Sequence, residues 1–258
     1  EIGVRLVGSE MCIRDSIMRA GRTPGIEDLF SDGPHLGSYS YEIGNPELKI
    51  EQTLGFESSM QYEKDKFFFL LNGFYNNSPN YHQYTKLGGQ YVPGADWIEW
   101  GSGSTGWLYK YEMQGIKSEI SGGEFQAGYK GRAIDITTDF SFVRGKNTST
   151  NNNLAYMPPD KISFLVSTKS NKDLSASIRF KKVFEQTLIS KFETQTPGYF
   201  LIDTFGSYTF RSDQGTHRLV FQLNNILDET YYNHLSKIKL IMPESGSCLL
   251  YTSPSPRD

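Results

Sequence analysis

The chain has 258 residues, 26 of them basic and 29 acidic, for a formal net charge of −3. So slight an imbalance leaves no electrostatic footprint for nucleic acid and no polybasic membrane patch. Hydrophobic residues make up only 37% while aromatics reach 14%. No run approaches the ~18 apolar residues of a membrane helix, and no long segment holds the 3.6-residue period of a helical domain. Abundant Tyr, Phe and Gly at moderate hydrophobicity suits a β-barrel, whose strands are half polar and whose membrane interfaces carry aromatic girdles.

The two ends read differently from the middle. One coding of residues 11–15 with its flanks, reverse-complemented and read in another frame, gives Cys248 through Ser253. Residues 6–10 and 254–258 fit opposite strands of one further DNA stretch. Both ends resemble a sequencing adapter translated through, so residues 1–16 and 247–258 are set aside as non-native tails. Residues 17–246 are then expected to be an internal piece of a longer protein, and the tails should be unpaired and poorly packed. Cys12 and Cys248 both fall in the tails, which leaves no disulfide framework and no thiol-based metal site between them. Removing the tails' three basic and four acidic residues leaves 23 and 25, a net of −2.

In chain order, residues 17–20 read as the end of a strand and 21–45 as a long aperiodic connection. Residues 46–62 alternate strictly, with Leu48, Ile50, Leu54, Phe56, Met60 and Tyr62 on one side and Glu47, Lys49, Glu51, Glu57 and Gln61 on the other, which is a two-faced strand. After a charged turn at 63–66, residues 67–75 return as a strand with apolar residues on both sides. Residues 76–106 read as a second long loop. Residues 107–129 change parity and predict a bulge near Gly115 or Gly122-Gly123. Strands follow over 134–142, 161–167, 174–181, 200–210 and 219–223. Their connections are 130–132, 144–159, 168–173, 184–197, 211–217 and a final loop at 225–246.

Short turns and long loops alternate without exception along this series. Short turns at one end and long loops at the other describe an outer-membrane barrel. Several strands exceed the ~5–6 residues usual in soluble sheets. The expected fold is all-β: an antiparallel transmembrane β-barrel fragment of about nine strands.

Particular residues carry a resemblance over most of 17–246. Arg22-Thr23-Pro24, Glu27-Asp28-Leu29-Phe30, Gly33-Pro34-His35-Leu36-Gly37 and Tyr41-Glu42-Ile43-Gly44-Asn45-Pro46-Glu47-Leu48 follow one another within about thirty residues. Gly122-Gly123-Glu124, Pro158-Pro159-Asp160-Lys161 and Asn225-Ile226-Leu227-Asp228 with Tyr231 come later. Together they resemble TonB-dependent outer-membrane receptors, although Asn225-Ile226-Leu227-Asp228 keeps only the Asn and Asp of that family's Asn-Leu-Phe-Asp. The resemblance implies a 22-strand barrel whose plug and last strand lie outside this sequence. It implies a receptor-transporter in the outer membrane of a Gram-negative bacterium. Such a receptor takes up a scarce nutrient (a ferric siderophore or other iron complex, haem or cobalamin) with energy from the TonB complex, which acts through the plug region. Its partners would be that nutrient and outer-membrane lipid, with no nucleic acid and no resident cofactor. A passive porin or adhesin barrel and a soluble carbohydrate-binding β protein remain the alternatives.

No nucleophile elbow, phosphate loop or His-Glu-x-x-His zinc motif is present, so no enzyme is expected. His35 invites a haem-ligand reading, because haem receptors of this family place a histidine in that interval; Gly-x-His-x-Gly also serves simply to shape the loop. Tyr81, His82, Tyr84, Tyr91, Trp97 and Trp100 are loop aromatics able to stack on an aromatic chelate or a sugar, or to pack the loop on itself. His35, Tyr81, His82, Tyr84, Trp97 and Trp100 are therefore the ligand-binding candidates. No metal-binding set is expected.

Overall fold

The computed structural model describes residues 4–8, 11–88, 97–99, 107–168, 173–213, 215–239 and 241–252. Its strands are β1 (Val4–Gly8), β2 (Met11–Arg22), β3 (Asp32–His35), β4 (Ser40–Ile43), β5 (Glu51–Lys64), β6 (Phe67–Lys86), β7 (Trp97–Glu99) and β8 (Trp107–Lys130). They continue as β9 (Ile134–Asn147), β10 (Asn152–Asn153), β11 (Lys161–Thr168), β12 (Leu174–Val183), β13 (Tyr199–Ser212), β14 (Gly215–Asn224) and β15 (Cys248–Thr252). One five-residue helix, α1 (Ile26–Phe30), and a 3-10 turn at Leu36–Ser38 lie before β5. The main sheet runs β1-β2-β5-β6-β8-β9-β11-β12-β13-β14-β15. Each pairing along it is antiparallel.

The alternation in the sequence becomes two faces of this sheet. Met60, Leu71, Phe125, Phe140 and Ile162 stand in one cross-strand row through five strands. Tyr62, Phe69, Ala127, Thr138, Phe164, Phe180 and Ile202 form the next row. Many residues of this face are exposed, among them Leu54, Phe56, Leu71, Phe125 and Phe164. An apolar face left open to its surroundings matches a lipid-facing wall. The other face carries Gln61, Leu70, Gln126, Asp139, Ser163, Lys181 and Leu201 in register. It lines a hollow of about 390 Å³. Asp139 is satisfied there by Gln126 (2.6 Å) and by the Ser163 hydroxyl (3.0 Å).

The ambiguous facing of residues 67–75 is settled by the glycines of β8. Phe67, Phe69, Leu71 and Tyr75 lie on the apolar face, while Phe68 and Phe74 lie on the other. There they cover Gly128 and Gly122, where a Cβ would meet the rings at 2.4 and 2.6 Å. The paired glycines are seats for neighbouring rings, not a bulge. The irregularity falls beside Gly115, the other expected position, but its extra residue is on β6, where the register with β8 shifts between Ser78 and Tyr81. Pro79 explains the position, since it has no N–H to give to the ladder.

Other expectations are corrected at the strand ends. β5 begins at Glu51, because Asn45 Oδ1 accepts the Glu47 N–H (3.0 Å) and turns the chain after Pro46. β6 continues to Lys86, well into the expected 76–106 loop, because the bulge restores its pairing with β8. The tails are not unpaired: residues 11–16 continue β2 against β5, and β1 and β15 pair at the two ends of the sheet. An unpaired strand edge offers hydrogen-bond partners to any extended segment, and none of residues 11–16 is buried. Without β1 and β15 the main sheet has the nine strands read from the sequence.

The short connections join β5 to β6, β8 to β9, β11 to β12 and β13 to β14, and the described long ones gather at the opposite end. Most buried apolar residues belong to that end, namely Leu108, Tyr109, Tyr111, Met113, Leu154 and Ala155. The packed core of this chain is thus at the mouth formed by its long connections.

Candidate functional site

The first long connection starts and finishes on one ion pair. Arg22 and Glu51 are cross-strand partners, and their side chains meet at 3.4 Å. Arg22 also approaches Asp28 of α1 at 3.6 Å. Beyond α1, the β3–β4 hairpin brings β4 alongside β8 in parallel, pairing Ser40 with Tyr109 and Ile43 with Glu112. The Gly44-Asn45-Pro46 motif fastens this hairpin. The Gly44 N–H donates to the Ser31 carbonyl (2.6 Å) and the Asn45 N–H to that of Asp28 (2.8 Å). A Cβ on Gly44 would sit 2.6 Å from the Leu29–Phe30 backbone. Gly44→Ala is therefore expected to cost about 1–3 kcal/mol by overpacking, seen as faster proteolysis within 25–45; cleavage at the wild-type rate would show that the close approach is unimportant.

Two carboxylates organise the rest of the mouth. Glu42 Oε1 accepts from Lys237 Nζ at 2.7 Å and from the Ser40 hydroxyl at 3.0 Å, and His35 Nδ1 lies 3.2 Å away. Burial pushes the Glu42 carboxyl up, but Lys237, Ser40 and His35 outweigh it and hold the group below the usual carboxylate range. Lys237 lies 5.2 Å from the ring centres of both Tyr84 and Tyr111, in cation–π range.

Glu193 is the second carboxylate. Its Oε1 lies 3.0 Å from His234 Nε2 and 3.3 Å from Lys239 Nζ, and accepts the Tyr156 N–H at 3.0 Å. Its Oε2 accepts the Ser190 N–H at 3.0 Å. Burial raises Glu193, yet His234, the Ser190 N–H, Lys239 and the Tyr156 N–H together bring it below its ordinary value. Lys239 moves the other way: burial lowers it, against the pull of Glu193. His234 Nδ1 is 3.0 Å from the Thr196 hydroxyl, and Lys239 Nζ donates to the His234 carbonyl at 2.9 Å. Tyr156 and Tyr111 share a hydroxyl contact of 2.9 Å. Burial and the neighbouring Tyr111, Glu193 and Glu42 push the Tyr156 phenol well up, so it stays protonated.

The candidate ligand residues divide between this cluster and its base. Tyr84 joins it through Lys237, and its hydroxyl donates to the Glu27 carbonyl at 3.4 Å. His35 touches it through Glu42 while its own side chain stays 63% exposed. Tyr81 and His82 are on β6. His82 is buried, with Nε2 2.6 Å from the Lys49 carbonyl and its N–H donating to Glu51 at 3.2 Å. Trp97 is on β7, and its buried indole N–H finds no acceptor among the described residues. Trp100 and Tyr91 lie outside the described residues. Glu42, Tyr111, Tyr156, Glu193, His234, Lys237 and Lys239 are not among the ligand candidates read from the sequence, although Glu42 stands in the Tyr41–Leu48 motif. Their partners lie up to 195 positions away, beyond any local pattern.

The later motifs are also explained by geometry. Asn225 takes a left-handed φ of 51°, which Asn tolerates. Its N–H donates to Asp203 (2.9 Å) and its side chain exchanges hydrogen bonds with the Glu229 backbone. Tyr231 packs on Tyr199 with ring centres 4.3 Å apart. Asp160 takes a two-pronged contact from Arg144, each bond 2.6 Å.

Known proteins place this architecture. The family model for "TonB dependent receptor-like, beta-barrel" matches residues 6–226. Among solved structures, the copper transporter OprC superposes with a TM-score of 0.73 at 20% identity, over 96% of this chain and 37% of that one. The siderophore receptor PirA from Acinetobacter baumannii gives 0.67 at 17% identity, over 97% and 40%. The ferric enterobactin receptor PfeA from Pseudomonas aeruginosa gives 0.65 at 17%, over 96% and 38%. The chain thus spans well under half the length of each. At these identities the structures speak for the fold, and the family match decides membership: this chain belongs to the TonB dependent receptor-like β-barrel family.

Proposed function

We propose that this chain is part of an outer-membrane receptor-transporter of a Gram-negative bacterium. It takes up a scarce nutrient, a ferric siderophore or another iron complex, with energy delivered by the TonB complex through a plug region. The observation that carries the reading is the two-faced sheet of a TonB-receptor family member, with an apolar wall suited to lipid and its long connections packed into one mouth. PirA and PfeA, described as receptors for a siderophore and for ferric enterobactin, support the iron complex. Tyr84 and His35 are the candidates best placed to meet a ligand, since both reach the Glu42–Lys237 pair. Tyr81, His82 and Trp97 are kept as further ligand candidates, together with Trp100, which lies outside the described residues.

A strain deleted for the receptor, complemented with the full gene and grown on single iron sources, tests this. Growth is expected on one chelate class and not on the others. Equal growth with and without the gene on every iron source would remove iron uptake from the reading. Equal uptake with and without TonB would point to a passive barrel.

A further inference from the structure

The two carboxylate clusters share one feature beyond their separate geometries. Their cations are two residues apart on the 225–247 connection. Lys237 takes Glu42 from the 23–50 connection, and Lys239 takes Glu193 from the 184–198 connection. Through the Tyr156 N–H, Glu193 also fixes the 148–160 connection. Three long connections are therefore bolted to one short segment of a fourth. The space left between Tyr111, Tyr156, Glu193, Lys237 and Lys239 is about 20 Å³, room for about one water and no ligand. Among the described residues, what holds these connections against one another is a pair of internal anions seated on two lysines.

We infer that Lys237 and Lys239 form a two-pronged latch, held closed by Glu42 and Glu193 and opened by a multiply anionic ligand that takes the carboxylates' places. The physical reason is charge balance. Glu42 and Lys237 are 13% and 23% exposed at the side chain, and Glu193 and Lys239 each 5%. Pulling such a pair apart leaves a charge desolvated and unpaired, which is costly. An incoming anion removes that cost, because each ammonium keeps a partner while the freed carboxylates reach water. A neutral ligand supplies no replacement and meets closed connections. The rings of Tyr84, Tyr111 and Tyr156 already lie 5.2–5.3 Å from the two ammonium groups. Their electron-rich faces favour the ammonium groups and would stack only on an aromatic part of an incoming ligand. The inference rests on the receptor reading for its ligand but not for its latch, and the test keeps the two apart.

The test is hydrogen exchange on the full receptor that contains this chain, in detergent. The reporters are the Tyr156 and Ser190 amides on the Glu193 side and the Gly44 amide on the Glu42 side. The Lys237→Met, Lys239→Met double variant is expected to exchange at all three at least about tenfold faster than wild type. Lys237→Arg with Lys239→Arg should stay protected. Amides of β11, β12 and β13 report whether the sheet remains folded. If they too lose protection in the double variant, the wild-type titration decides alone. In that titration, iron(III) tris-catecholate, a multiply negative complex, should speed exchange at the same three amides. An uncharged ferric trihydroxamate at equal concentration should not. Unchanged exchange in a folded double variant, no response to the tris-catecholate, or an equal response to the neutral complex would each overturn the inference. Failure of the receptor reading shows separately, as absence of growth on every iron source.

Discussion

Replacing Glu193 by alanine is expected to release three of the long connections at once. The substitution leaves Lys239 buried without its carboxylate, strands the Tyr156 and Ser190 N–H groups and removes the partner 3.0 Å from His234. Breaking a buried pair from one side costs about 3–5 kcal/mol. The measurement is amide exchange at Tyr156 and Ser190, and exchange at the wild-type rate would mean the carboxylate is a bystander. The same group sets a pH dependence. Glu193 and Glu42 are both held below their ordinary values when the connections are closed. Their contribution to closure is therefore fully present above the free carboxyl value of about 4.3. It is lost as pH falls through the depressed values. Closure should hold from pH 7 down to about 5 and fail only in stronger acid. Opening between pH 7 and 6 would mean that these two carboxylates do not control closure.

Phe164→Arg is expected to destabilise insertion by about 2–4 kcal/mol if its row lies near the bilayer midplane. Phe164 is exposed on the apolar face, between Thr138 and Phe180 in register and with its ring centre 6.3 Å from that of Phe180. The neighbouring Ser163 faces the other way and donates to Asp139. Ser163→Arg places its charge beside that carboxylate, so it should cost far less. Urea unfolding of the full receptor in lipid vesicles compares the two. Equal costs would mean that the two faces do not separate lipid from interior.

The wall was legible in the sequence because its physics is local. Alternation in β5, β9 and β12 assigns each side chain to a face without knowledge of any partner. The alternation of short turns with long connections then gives the topology. Where two neighbours decide the outcome, sequence reading misplaced the detail. The parity change in β8 suggested a bulge near Gly115 or Gly122-Gly123; the glycine pair instead seats Phe74 and Phe142, and the register shift falls beside Gly115 but with its extra residue at Pro79 on the facing strand. Likewise residues 76–86 carry the polar and aromatic composition of a loop, yet β8 pairs with them on both sides of the bulge. The mouth was hardly legible at all. His35 and Tyr84 were picked for their chemistry, but Glu42, Glu193, Lys237 and Lys239 look like ordinary surface charges until distant segments meet.

The Glu42–Lys237 contact has a kinetic consequence. Its two residues are separated by 195 positions, and all the strands from β5 to β14 lie between them. A contact of that span carries a large loop-closure cost until the intervening hairpins have zipped. It should therefore be among the last interactions to form during assembly. A chain stalled with any one hairpin misregistered would keep Glu42 and Lys237 apart, however well the remaining strands were paired. Protection of the Gly44 amide would then mark the moment at which assembly of this wall is complete.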